Sequence, residues 1–223
     1  MKVVLFGATG MVGMGALLEC LDDARVTSVL VIGRSSCGVQ HAKLTEVIHN
    51  DFFNYGPLAE RFKDCDACFF CLGVSSVGMD EAGYRRLTYD LTLAAAQAMA
   101  AVNKRLTFCY VSGQGTDSSE RGRSMWARVK GQTENALLRL PFKAAFMFRP
   151  GLIQPLRGVR SRTRLYQALL TVFRPIVPLL RRLFPRSVTT TVIVGRALIQ
   201  VAAAGYSKPL LETRDINQLG ATP

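Results

Sequence analysis

The sequence predicts a single α/β domain built on a doubly wound parallel sheet. Three observations lead there. Short apolar runs rich in Val, Ile, Leu and Phe recur along the chain, each bounded by Gly, Asp, Asn or Pro. Helical stretches lie between several of them, and strands alternating with helices imply right-handed βαβ units. The composition, 49% hydrophobic and 20% charged over 223 residues, is that of a globular chain with a sizeable core and excludes disordered and fibrous classes.

The strands come first. "KVVLF", "VTSVLVIG", "LTEVIH", "DACFFCLG", "RLTFCYVS" and "FKAAFMFRPG" are near-continuous apolar runs, the pattern of parallel strands buried on both faces. "MVGMGALLECL" follows the first run as a helix. "DEAGYRRLTYDLTLAAAQAMAAV" follows the fourth, rich in alanine and other good helix formers. "SMWARVKGQTENALLRL" follows the fifth. After Pro155 the rhythm changes. "RGVRSRTRLYQALLTVFRPIVPLLRRLFP" predicts two short helices broken by Pro175 and Pro178, a small cap over the sheet. Arg174, the prolines and Arg181-Arg182 interrupt it too often to span a bilayer. Its stripe of Leu165, Leu169, Val172 and Phe173 fits either burial on the protein's own core, the favoured reading, or a membrane surface. "SVTTTVIVGRALIQVAAAG" then leads into a closing helix that Gly205 stops, and "ETRDINQLGATP" reads as an ordered edge segment and a tail. The alternating core thus occupies residues 1–153, and the cap, closing helix and tail occupy 154–223. No repeat or low-complexity segment interrupts them.

Net charge is +12, and its placement is informative. Asn135 to Leu211 holds 13 Lys or Arg and no Asp or Glu, which leaves 15 basic against 16 acidic residues elsewhere. Such a block is either a solvated face or a contact for something anionic. An acidic membrane surface or acidic protein partner for the arginine-rich stretch 157–186 is the expectation, with nucleic acid not favoured. The opening "MKVVLFGATG" enters a strand directly, without the layout of a signal peptide, so a cytoplasmic location is expected. Six cysteines include the spacing Cys65-x2-Cys68-x2-Cys71, which an iron–sulfur cluster uses with a fourth thiolate. The same segment reads as a buried strand with Cys68 and Cys71 on opposite faces, and free buried thiols with no metal are the favoured outcome.

The chemistry starts at "FGATGMVG", between the first strand and the first helix. Gly7 allows a tight turn, Gly10 lets backbone approach a diphosphate, and Gly13 lets the helix pack close. The amide groups of Thr9, Gly10, Met11 and Val12 then stand at the positive end of a helix dipole, a ready anion site. The spacing is G-x-x-G-x-x-G. At the end of the second strand, where a carboxylate would hold a ribose 2′-hydroxyl, the chain reads "LVIGRSS". Arg34, helped by Ser35 or Ser36, suits a 2′-phosphate instead. NADP is therefore favoured as cofactor, with NAD as the alternative.

On these residues the chain resembles the short-chain dehydrogenase/reductase superfamily, and within it the atypical or extended, epimerase-like Rossmann proteins, with the Tat-interacting oxidoreductase-like proteins as the nearest type. "GATGMVG", "IGRSS", "HNDFFN", "CLGVSS", "YVSGQG", "VKGQTENAL" and "FRPGLI" carry the resemblance, in the family's order, over about Lys2 to Ile153. The resemblance implies that Asp51 and Phe52 contact adenine. It places Cys71, Leu72 and Gly73 along ribose and diphosphate. It makes Ser112 the catalytic serine, puts Lys130 on the nicotinamide ribose, and sets Pro150, Gly151, Leu152 and Ile153 beside the nicotinamide. The implied activity is oxidoreduction of a small carbonyl or alcohol, or of a nucleotide-sugar-like substrate. Dimer pairing of the helix Asp80–Val102 is an analogy within the superfamily, and the oligomeric state stays open.

One position departs from that pattern. Four residues before Lys130 the family carries a tyrosine that exchanges the proton; here Trp126 stands, on the same helix face. An indole N–H donates a hydrogen bond but is not a useful acid. Three readings follow: a reductase with a substitute donor, among Ser112, a water, Ser124 and Tyr166; a coenzyme-binding redox sensor or interaction module with little turnover; or a protein that docks through its basic C-terminal region.

Overall fold

The computed structural model describes residues 1–159 and 187–221. Strands Lys2–Phe6 (β1), Ser28–Gly33 (β2), Leu44–Ile48 (β3), Ala67–Phe70 (β4), Thr107–Val111 (β5) and Ala144–Arg149 (β6) follow in chain order. Leu152–Gln154 (β7), Val188–Thr190 (β8) and Leu210–Glu212 (β9) come after them. Seven of these form one sheet in the order β3-β2-β1-β4-β5-β6-β9, and β7 pairs with β8. Every pairing is parallel. The fold is the expected α/β doubly wound Rossmann architecture. The order of strand addition reverses between β1 and β4, which opens a crevice at the carboxyl ends of the strands.

The helices are Met11–Asp22 (α1), Ala59–Phe62 (α2), Glu81–Arg85 (α3), Leu91–Val102 (α4), Met125–Leu138 (α5), Thr191–Ala204 (α6) and Thr213–Ala221 (α7). Successive strand residues point to opposite faces, so the strands feed two separate cores. Val3, Leu5, Val29 and Phe69 pack with Leu17 of α1 and Val194, Leu198 and Val201 of α6. Val4, Phe6, Phe70 and Phe108 pack with Phe62 of α2, Met99 of α4 and Leu137 of α5. The cysteines follow the same division. Cys68 lies in the second core while Cys71 borders the first, so the C-x2-C-x2-C thiols are split across the sheet. All six are free, and burial pushes Cys71 up to about 12 and Cys65 up to about 11.

The long helical stretch from Asp80 is capped at its start, where the Asp80 carboxylate accepts from the Gly83 amide at 2.9 Å. It is not one uniform helix. Arg86–Asp90 forms a π turn between α3 and α4, and the hydroxyl of Thr92 in α4 donates back to the Thr88 carbonyl of that turn at 2.5 Å. Local hydroxyl bonding of this kind and π turns both bend helices. The closing helix begins where the Thr190 hydroxyl accepts from the Ile193 amide and stops at Gly205, with φ +74°.

The C-terminal segment corrects the expectation of a tail. After edge strand β9, residues from Thr213 form helix α7. Thr213, Ile216 and Gly220 recur at helical spacing and are buried. A Cβ on Gly220 would meet the Ile193 carbonyl oxygen at 2.2 Å, so α7 lies directly on α6. The two short helices and the cap expected from the proline-broken stretch fall on residues 160–186, outside the described residues. Among the described residues no helix is long and apolar enough to cross a membrane.

Helix α5 makes a similarly close approach. A Cβ on Gly131 would lie 1.8 Å from the Asp117 carbonyl oxygen, so the β5–α5 loop rests on the helix backbone. Gly131→Ala is therefore expected to destabilise the protein by roughly 1–3 kcal/mol, as overpacking does, or about 2–4 °C of melting temperature per kcal/mol. Gly73→Ala, whose Cβ meets nothing within 4 Å, leaves the melt unchanged. Equal melting of the two variants in a thermal scan refutes this packing.

Candidate functional site

A fully parallel sheet puts the residues that follow every strand on one edge. Gly7–Val12 after β1, Arg34 and Ser35 after β2, Asp51 and Phe52 after β3, Cys71–Gly73 after β4, Ser112 after β5 and Pro150–Ile153 after β6 therefore share the carboxyl edge. Lys130 joins them from α5.

The glycine turn is built by close contact. Gly7 has φ +82°, and a Cβ there would sit 2.7 Å from the Cys71 carbonyl oxygen. A Cβ on Gly13 would sit 2.1 Å from the Gly7 carbonyl oxygen, so the first turn of α1 is pressed onto the loop. The Gly10 amide donates to the Gly7 carbonyl at 2.8 Å. Gly10 caps α1 without a side-chain hydrogen bond, and the first turn contains no acidic residue. The positive end of the helix is thus free of any neutralising carboxylate of its own first turn, as an anion site requires.

At the ends of β2 and β3, Arg34 and Ser35 are exposed. The loop behind them is held by a residue absent from the sequence reading. Glu46 on β3 accepts from the Ser36 hydroxyl at 2.7 Å and from the Cys37 amide at 2.7 Å. These bonds lower the Glu46 pKa, although burial opposes them. Asp51 turns the chain by accepting from the Phe53 amide at 3.0 Å. The Phe52 ring is buried against Phe6, Tyr55 and His49, so its backbone rather than its ring borders the edge.

At the end of β5 lies a buried ionic network. Glu134 of α5 is 0% exposed. The Ser112 hydroxyl donates to its Oε1 at 2.5 Å and lies 3.1 Å from the Phe148 carbonyl. Arg149 Nε donates to Glu134 Oε1 at 3.0 Å, and Arg149 Nη2 pairs with Oε2. Nη2 also reaches the Ser118 hydroxyl at 2.5 Å, and Nη1 reaches Glu212 of β9 at 3.3 Å. The Lys130 ammonium donates to the Ser112 carbonyl. Burial pulls the Lys130 pKa down to about 8, and the Glu134 charge opposes the fall. The loop between strand and helix is joined to β6 by the Gln114 amide, which donates to the Pro150 carbonyl at 2.9 Å. A Cβ on Gly151 would lie 2.5 Å from Gln114 Oε1, which places this amide side chain beside Pro150–Ile153. Trp126 packs its ring carbons 3.4 and 3.8 Å from the Cβ position of Gly115. Glu134 was legible in principle: it stands four residues after Lys130, on the same helix face. Gln114 carried no such signal.

Fold and edge geometry together define the class, a Rossmann-type α/β protein with a glycine turn at the carboxyl edge of its sheet. No family model matches the chain. It is similar to the mitochondrial protein FMP52 of Meyerozyma guilliermondii, 27% identical over 155 residues, which cover 69% of this chain and 65% of that protein. It is also similar to HTATIP2 of Rattus norvegicus, 28% identical over 154 residues, covering 68% of this chain and 62% of the relative. The chain thus spans just under two thirds of these relatives. Among solved structures it resembles the Bordetella bronchiseptica enzyme WbmF in complex with NAD+, with TM-score 0.65 and 16% identity over 97% of this chain and 76% of that one. It also resembles a UDP-glucose 4-epimerase of Thermotoga maritima, with TM-score 0.65 and 12% identity over 99% and 81% of the two chains.

These likenesses overturn the cytoplasmic expectation. The FMP52 relatives are mitochondrial proteins by name. The opening residues Lys2–Phe6 are an interior strand of the sheet, so their apolar character reports the core and not a cellular address.

Removing one member of the buried pair leaves the other charged and unpaired. Arg149→Met is therefore expected to lower stability by about 3–5 kcal/mol, as such losses do. Ser112→Ala removes one charge-assisted hydrogen bond and costs about 1.5–3 kcal/mol. Chemical denaturation measures both, and a neutral Arg149→Met variant contradicts the network.

Proposed function

We propose that this chain binds a nicotinamide dinucleotide along the carboxyl edge of its sheet, the phosphorylated form in preference, and acts as an oxidoreductase on a small carbonyl compound or its alcohol. The observation that carries the reading is the cradle at the glycine turn. A Cβ at Gly7 or Gly13 would collide with the backbone that closes the turn, and the amides of α1 stand there without a capping side chain. That donor set fits a diphosphate. Thr9, Gly10, Met11 and Val12 would hold the diphosphate. Asp51 and Phe52 would border the adenine, Cys71–Gly73 the ribose, and Lys130 with Pro150–Ile153 the nicotinamide end. Several structures that share the fold contain NAD+ or NADH, which supports a nicotinamide coenzyme.

The preference for the phosphorylated coenzyme rests on Arg34. It is exposed and has no ion-pair partner among the described residues, while the carboxylate of neighbouring Glu46 is taken up by Ser36 and Cys37. A nucleotide-sugar-like substrate is the alternative drawn from the neighbours that hold UDP-glucose. A second functional reading, a coenzyme-binding sensor with little turnover, is favoured by Trp126, whose indole fills the place of the expected acid.

Calorimetric titration with NADPH and NADH tests the proposal. Both are expected to bind, NADPH more tightly. Arg34→Ala is expected to weaken NADPH by about 10–100-fold, the equivalent of one or two charge-assisted bonds, and to leave NADH nearly unchanged. No heat with either coenzyme overturns the reading; equal loss for both removes Arg34 from selectivity.

A further inference from the structure

We infer that Lys130 is the proton-exchanging group of this site, delivering to a substrate oxygen the proton that its Trp126 neighbour has no means to give. The inference rests on the oxidoreductase reading above.

Position comes first. Lys130 reaches the end of β5 itself, where its ammonium donates to the Ser112 carbonyl, and Nζ lies 3.9 Å from the Cβ position of Gly113. An ammonium has three N–H donors, and the Ser112 carbonyl takes one. The two hydroxyls near it are committed. The Ser112 hydroxyl belongs to Glu134, and the Thr116 hydroxyl donates to the Gly113 carbonyl at 2.7 Å. Trp126 lays ring carbon on Gly115, so that wall carries no acid.

Acidity comes second. A positioned acid works best with a pKa near the working pH. Burial brings Lys130 to about 8, against the pull of Glu134. The elements packed on α5 leave that balance to Glu134. Arg149 of β6 is paired with Glu134, Glu81 of α3 with Arg128, and Arg85 with Asp90 of the π turn. Tyr84 of α3 and Tyr110 of β5 are phenols that burial pushes up, so they stay neutral. Helix α4 brings no titratable side chain.

The step balances. A reduced nicotinamide held at this edge would supply the hydride to the carbonyl carbon. The C=O π pair moves onto oxygen, a proton leaves Lys130 Nζ, and the new O–H bond completes an alcohol. The coenzyme is oxidised, the carbonyl is reduced, and the neutral amine regains its proton from water.

The ammonium is present below about pH 8 and lost above it, so reduction is expected to hold across neutral pH and fall on the alkaline side. The full chain is assayed with NADPH and phenanthrenequinone as the carbonyl probe, and the same samples are titrated with NADPH by calorimetry. Lys130→Arg keeps a cation but yields no proton near neutrality. It is expected to bind NADPH within about threefold of the wild type and to reduce the probe about 10²–10⁴-fold more slowly, the usual contribution of a positioned acid. Glu134→Gln is expected to move the alkaline limb to lower pH, together with the Lys130 titration followed by NMR. Tyr166→Phe, outside the described residues, and Ser124→Ala are expected to keep the rate. Full activity in Lys130→Arg, a rate that does not fall at alkaline pH, loss of the rate in Tyr166→Phe or Ser124→Ala, or coenzyme binding without turnover overturns proton delivery by Lys130. An absence of coenzyme binding overturns the underlying reading instead.

Discussion

The contact between the first turn of α1 and the loop that precedes it is the constraint on which the carboxyl edge depends. Gly13 lets the helix backbone rest on the Gly7 carbonyl, and Gly7 in turn rests on the chain leaving β4. Three backbone segments therefore meet with no side chain between them, at the point where strand order reverses. That closeness aims the helix amides at the crevice. It also explains why the turn tolerates the G-x-x-G-x-x-G spacing: the requirement is a missing Cβ at two close approaches, and the first and last glycines of the run meet it.

A second constraint holds the other half of the edge. Glu134 and Arg149 form a buried pair that ties α5 to β6, and through Glu212 and Ser118 it ties both to β9 and to the β5–α5 loop. Buried ion pairs contribute little net stability, because desolvation offsets most of their attraction. Their effect here is geometric. The pair draws the Ser112 hydroxyl inward, which leaves the backbone carbonyl of the same residue as the seat of the Lys130 ammonium. The serine that the family resemblance makes catalytic thus has its hydroxyl bonded to Glu134 in this chain.

Part of the basic excess in the C-terminal third has a structural use. Arg157 and Arg196 both pair with Glu19 on α1, Arg149 with Glu134, and Lys208 with Asp215. The acidic partners of the three arginines come from earlier in the chain, so a charge imbalance along the sequence becomes a set of ties between its first and last parts in space. The arginine-rich stretch expected to meet an acidic surface lies almost wholly at 160–186, outside the described residues.

The sequence by itself determined the first six strands, the glycine turn and the edge. Apolar runs long enough to be buried on both faces have few other solutions, and parallel pairing sends every strand's successor residues to one side. It also marked Trp126 and Lys130 as neighbours, because four residues make one helical turn. Only the tertiary structure decided where the Ser112 hydroxyl points, that Glu134 is wholly buried, that Glu46 shapes the loop after Arg34, and that the C-terminal residues form α7 rather than a tail. Each of these depends on a partner tens of residues away or on another element. Local pattern reports periodicity and turn chemistry, whereas the partner of a buried charge is settled by which elements pack together.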